Sequence, residues 1–197
     1  MPDNDANEVF RAMVYEVREF FREAIRRRMR DPERVKALPH PLEPGVWYYH
    51  HQKYFFPPEP RSFEMWDTFS RNEVSGNVTG TMTIYVDGTP VWTMHYQGTF
   101  PSQLQAVVDF ELLDVLQREP MRRSIGIMGG GGLPCVYIQS KNTGDFLDFT
   151  GRREFFNTLD EETYTPIGCL EFRSWSLVHE QELPKPVPRF NAHAVNA

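Results

Sequence analysis

The chain has 197 residues, 40% of them apolar and 24% charged, a composition that can bury one core and excludes wholesale disorder. No run approaches 18 uninterrupted apolar residues, which excludes a membrane-crossing helix, and a net charge of -6 argues against a broad nucleic-acid-binding surface. Cys135 and Cys169 are too few for a disulfide framework or a four-cysteine zinc site, and Met1 to Glu8 show no secretory pattern, so the cytoplasm is the expected location.

Glu8 to about Arg26 carries the clearest periodicity. Val9, Phe10, Met13, Val14, Val17, Phe20, Phe21, Ala24 and Ile25 fill one arc of a helical wheel, and Arg11, Glu16, Arg18, Glu19, Arg22, Glu23 and Arg26 fill the other. Arg27 and Arg28 fall within the apolar arc, so regular packing is expected to stop there, with Asp31-Pro32 as the break. The run Arg26-Arg27-Arg28 with Arg30 reads as a solvated helix end, suited to the negative pole of the helix dipole and flanked by Glu19–Arg22 and Glu23–Arg27 pairs. That reading is favoured over a phosphate or membrane contact.

Pro39 to Pro44 punctuates a connector, and Val46 to Phe56 reads as a strand ended by Pro57-Pro58. Alternation sends Val46, Tyr48, His50, Gln52 and Tyr54 to one face and Trp47, Tyr49, His51, Lys53 and Phe55 to the other. Phe63 to Val74 is ambiguous, a loop followed by a strand. Val78 to Val86 and Val91 to Tyr96 flank Asp87-Gly88-Thr89-Pro90, a hairpin signal because glycine accepts positive φ. Trp92, Met94 and Tyr96 share one face of the second arm; Val91, Thr93 and His95 share the other.

Ser102 with Gln105 three residues on is a capping-box pattern opening a second helix, whose stripe is Leu104, Val108, Leu112, Val115 and Leu116. Ala106, Phe110 and Leu113 lie opposite, so this helix is either sandwiched within the chain, the favoured reading, or uses one side for a partner. Gly129-Gly130-Gly131-Gly132 could cradle phosphate through backbone amides, but no Lys-Ser/Thr follows, and a flexible loop is the better reading. Cys135 to Ser140, Asp145 to Phe149, Arg153 to Asn157 and Gly168 to Val178 are strand candidates, and residues 183–197 form an extended proline-rich tail.

A short self-similarity aligns Val78 to Tyr85 with Phe149 to Phe156; both lead towards a Trp-containing strand, at Trp92 and Trp175, the second copy through a longer acidic turn with Asp160-Glu161-Glu162. The expected fold is therefore α+β. A largely antiparallel sheet is packed by two main helices in a single domain, residues 1–182, with residues 8–100 and 101–180 as halves of a pseudo-duplicated helix-plus-sheet unit.

The stretch from Val78 and Gly80 through Asp87-Gly88-Thr89-Pro90-Val91-Trp92-Thr93-Met94-His95-Tyr96-Gln97-Gly98, with the later Gly144-Asp145-Phe146-Leu147-Asp148-Phe149-Thr150-Gly151, resembles an uncharacterised bacterial domain family. That family is found alone or appended to helix-turn-helix repressors of the XRE type. The likeness covers roughly Trp47 to Val178, with an amphipathic helix in place of the repressor module, and it implies a domain boundary rather than a mechanism.

The chemistry-bearing residues select no reaction. His50 and His51 point to opposite strand faces, and no His-x-x-x-His or Glu-x-x-His helix spacing is present, so no metal and no cofactor are expected. Glu64, Asp67, Glu73, Asp145 and Asp148 are carboxylates without a selective spacing, and Ser124 lacks a nucleophile elbow. Glu171 and Arg173 share a strand face and are expected to pair across the sheet. With 14% aromatic residues, most rings are assigned to a β-rich core.

The leading functional expectation is a pocket between helix and sheet for a small apolar or aromatic molecule. Its ligand-binding residues are Trp47, Tyr49, His50, Trp66, Trp92, Met94, His95 and Tyr96. The alternatives are a homodimeric interaction or assembly module without catalysis, and, third, an enzyme. Partners are restricted to a small molecule or a second copy, with no nucleic acid and no membrane.

Overall fold

A computed structural model of the chain describes residues 3–32, 34–55, 61–113, 121–126, 135–144, 146–160 and 163–178. Helix α1 (Asp3–Arg30) is followed by β1 (Leu38–Pro39), β2 (Val46–Phe55), β3 (Arg61–Arg71), β4 (Asn77–Val86) and β5 (Thr89–Thr99). A 3-10 turn at Ser102–Leu104 runs into α2 (Gln105–Leu113), and then come β6 (Met121–Gly126), β7 (Cys135–Gly144), β8 (Asp148–Asp160) and β9 (Thr163–Ser176). The strands form one sheet in the order β1-β2-β3-β4-β5-β9-β8-β7-β6, with every neighbouring pair antiparallel. The fold is thus α+β and mostly antiparallel sheet. The chain lays down one meander, crosses through α2, and returns from the far edge so that its last strand meets β5.

Strand alternation gives the sheet two unlike faces. On one, Phe63, Met65, Met82, Ile84, Trp92, Met94, Phe155, Leu170 and Phe172 join a single buried cluster with Val17, Phe20, Phe21, Ala24 and Ile25 of α1 and Val107, Val108 and Leu112 of α2. Ring contacts tie the layers together, Phe20 to Phe63 at 5.4 Å and Phe21 to Trp92 at 5.3 Å between centroids. The other face, which neither helix of the described residues covers, carries threonines, charged residues, histidines and the rings of Trp66 and Trp175.

Several elements differ from the sequence expectation, each for a physical reason. Packing of α1 does not stop at Arg27. Arg28 is buried in line with the apolar arc, because Asp67 of β3 and Asp109 of α2 supply the charge that burial requires. Glu23 pairs with Lys53 rather than Arg27, while the Glu19–Arg22 pair forms at 3.1 Å.

Phe63 to Arg71 belongs wholly to β3, where Phe63, Met65 and Asp67 alternate as buried positions; the carboxylate interrupts the apolar pattern and makes the segment read as loop. The capping box does not form. Pro101 is the cap residue of the 3-10 turn with no side-chain cap bond, and the Gln105 side chain instead joins Arg71 and Asp109. Two expected strands merge through Gly151 into β8, and β1 and β6 are additions.

At the β4–β5 turn both Asp87 (φ 51°) and Gly88 (φ 78°) are left-handed, as a two-residue hairpin requires. Val115, Leu116, the Gly129–Gly132 run, Glu161, Glu162 and the 183–197 tail lie outside the described residues.

Candidate functional site

Two polar clusters sit inside the helix-side layer. Arg28 donates from Nη1 to Asp67 Oδ2 at 2.7 Å and from Nη2 to Asp109 Oδ1 at 2.8 Å, and its guanidinium lies 4.6 Å from the Tyr49 ring centroid. Tyr96 donates its hydroxyl to the second Asp67 oxygen at 2.7 Å. Burial alone would lower the Arg28 pKa, but Asp109 and Asp67 outweigh it and hold it above its ordinary value. Burial raises the Asp67 carboxyl above the usual range despite Arg28 and the Tyr96 hydrogen bond, and burial followed by the Asp67 charge pushes Tyr96 well above 10.0.

The second cluster joins Glu111 of α2 to Arg153 of β8 at 3.0 Å and to the Ser140 hydroxyl of β7 at 3.2 Å. Both clusters pin helix to sheet. The void beside Arg28, Tyr49, Asp67 and Tyr96 is about 20 Å³, room for a water molecule at most.

The open face offers more space. Register places its residues in rows that cross the strands. One row runs Thr79 (β4), Gln97 (β5), Glu171 (β9), Arg152 (β8), Lys141 (β7); the next runs Thr81, His95, Arg173, Thr150, Thr143. A groove of about 600 Å³ lies over them, lined from both rows and by Gly80, Tyr96, Gly151 and Phe172.

Gly80 and Gly151 have a packing role. An added Cβ would stand 2.4 Å from the Tyr96 ring at Gly80 and 2.0 Å from the Phe172 ring at Gly151, so glycine lets each ring lie flat on the neighbouring strand.

Within the groove the Thr81 hydroxyl and His95 Nδ1 are 2.8 Å apart, His95 stacks on Trp175 at 5.0 Å, and the Thr143 and Thr150 hydroxyls meet at 2.9 Å. Arg152 is held by Glu171 at 2.8 Å and by Glu154 at 2.9 Å. Farther along the same face His50 Nε2 meets Glu64 at 2.6 Å and the imidazole stacks on Trp66 at 4.3 Å.

The eight residues expected to line one pocket are divided between the two faces. Trp92 and Met94 are fully buried, with Trp92 stacked on Phe146 at 4.9 Å and donating its indole N–H to the Phe146 carbonyl at 2.8 Å. Tyr49 and Tyr96 belong to the Arg28 cluster, and Tyr96 also borders the groove. Trp47, paired with Pro39 at the sheet margin, is 41% exposed. His50 and Trp66 lie together on the open face, and His95 is in the groove.

Sequence reasoning missed Thr79, Gln97, Lys141, Thr143, Thr150 and Arg152. The period-two spacing Thr150, Arg152, Glu154 marks an exposed face, but only register reveals its neighbours. Of the expected cross-sheet pairs, Glu171 accepts from Arg152, whereas Arg173 has no acidic partner among the described residues. Also among the described residues, no three His, Cys, Asp or Glu side chains converge on a metal-sized site, and no helix is long and apolar enough to cross a membrane.

No family model, curated protein or solved structure matches the chain. The functional reading therefore rests on the chemistry of the site itself.

Proposed function

We propose that the protein is a ligand-binding module whose site is the groove on the face of the sheet opposite α1 and α2. The observation that carries this reading is the concavity of about 600 Å³, a volume suited to a small molecule, rimmed by hydroxyl, amide, imidazole, ammonium and guanidinium groups from five adjacent strands, β4, β5, β9, β8 and β7. The helix–sheet layer offers less. Its rings are packed on one another, and its void at the Arg28 cluster is small.

The same reading takes the chain as two related units, α1 through β5 and α2 through β9, each helix packed on its own strands, with the groove over their seam. In support, Gly80 and Tyr96 are cross-strand partners in the first unit, Gly151 and Phe172 in the second, and Tyr96 and Phe172 are partners across the seam.

A thermal-shift screen against a metabolite library, followed by tryptophan emission, tests the site, because Trp175 stacks on a groove residue. Thr150→Trp fills the groove from an exposed position. It is expected to abolish the response to hits while leaving the unfolding midpoint in place. Hits that bind Thr150→Trp as well as the parent protein would refute the assignment.

A further inference from the structure

Resting on the groove assigned above, we infer that its ligand is a small organic anion, a carboxylate or a phosphate, held above β8 by Arg173 and Lys141. The groove lining contains Lys141, Arg152 and Arg173 against Glu171, a cationic surplus within a chain whose net charge is -6. Arg152 is committed, since Glu171 and Glu154 both bind it. Arg173 and Lys141 have no acidic partner among the described residues.

Register brings these two cations to opposite sides of β8. Arg173 on β9 is the Cα partner of Thr150, and Lys141 on β7 is the partner of Arg152, two residues along the same strand. Adjacent strands are about 4.8 Å apart, so two long side chains rooted on β7 and β9 can close over one group seated on β8.

The seat itself has the required donors. The Thr143 and Thr150 hydroxyls share one hydrogen bond, which uses one of their two protons and leaves the other for an oxyanion. On the β5 side, His95 keeps Nδ1 for Thr81, so Nε2 is the ring nitrogen left for a ligand, and the Gln97 amide adds donors beside it. A carboxylate or phosphate on a short organic body uses both halves of this floor, the charge over β8 and the body towards β5.

The scale of the charge selects the scale of the ligand. A polyanion such as nucleic acid needs a run of cations along its backbone, and this patch supplies two in an acidic chain. A single anionic group is matched. Both cations are exposed and salt screens exposed charges, so the interaction is selective by charge and weakened by ionic strength.

The experiment is a titration of the 15N-labelled full chain with phenyl phosphate, benzoate and the neutral benzyl alcohol, followed by amide shifts. Saturable shifts at Thr143, Thr150, Gly151 and Arg173 are expected with the two anions, with benzyl alcohol much weaker. Arg173→Glu should weaken anion binding at least about fivefold, the scale of one unit-charge contact in water, with Arg173→Lys retaining most of it.

Benzoate and phenyl phosphate separate the two oxyanion sources by their relative affinity. If Thr150→Trp abolishes the shifts from all three probes while Arg173→Glu changes none, the groove stands and the anion assignment falls. If the shifts arise elsewhere and survive Thr150→Trp, the groove assignment falls with it. Equal affinity for benzyl alcohol and the anions overturns the inference alone.

Discussion

Replacing Arg28 by Met removes the cation that two buried carboxylates share. Asp67 and Asp109 accept from it at 2.7 and 2.8 Å, and all three side chains are largely withdrawn from water. Breaking a buried pair by deleting one partner costs about 3–5 kcal/mol. A second route to the magnitude gives a similar figure. If Asp67 alone takes a proton, while Asp109 keeps the Gln105 amide as donor, the cost from an ordinary pKa of 3.8 is about 4 kcal/mol at pH 7, at about 1.4 kcal/mol per pH unit.

That route also fixes the pH dependence. At pH 5 the same protonation costs only about 1.6 kcal/mol, so the variant should approach the parent protein as the medium becomes acidic. The sign follows from linkage. With Arg28 gone, the folded-state Asp67 pKa, already above its unfolded value, rises further; the folded chain binds more protons, and its stability falls as pH rises through that window. Urea unfolding of the parent and Arg28→Met at pH 5 and pH 7 measures both figures. The variant carrying also Asp67→Asn and Asp109→Asn should recover most of the loss, because no uncompensated charge remains. A loss under about 1 kcal/mol at pH 7, or one equal at the two pH values, would refute the reasoning.

Two further tests probe the packing. His51 is 8% exposed with Nε2 unpartnered, and burial, then Arg27, depress its pKa below 6.5; its stability contribution is therefore complete above pH 6.5 and lost as pH falls through the depressed value. His51→Leu should flatten the acid side of the stability curve, and an unchanged slope between pH 5 and 6.5 would count against this account. Gly98→Ala would place a Cβ 2.2 Å from the Cys169 carbonyl across the β5–β9 seam, where backbone cannot yield, so a loss of about 1–3 kcal/mol in urea unfolding is expected and an unaltered midpoint would contradict it.

The amphipathic arc of α1, the Asp87-Gly88 hairpin and the alternation of β2 and β5 were legible because each is written in residues close together in the chain. Local sterics and a period of 3.6 or 2 suffice to read them. β3 was obscured by Asp67, a charge at a core position. Its partner, Arg28, lies 39 residues earlier, and no local pattern joins them. The same limit applies to Glu111 and Arg153, a buried pair whose members lie 42 residues apart in the chain.

The site divides along the same line. Period-two alternation separates Trp92 and Met94 from His95, but it does not say which face the helices cover, and a ring-rich list therefore mixed core with surface. The groove needs one further fact, the pairing of β5 with β9, which brings His95 beside Arg173 across 78 residues of chain. Local order is determined by the sequence through short-range sterics and hydrophobic period. The meeting of distant strands is decided by burial of the whole core, a cooperative property of the folded chain, and the site exists only once that meeting has occurred.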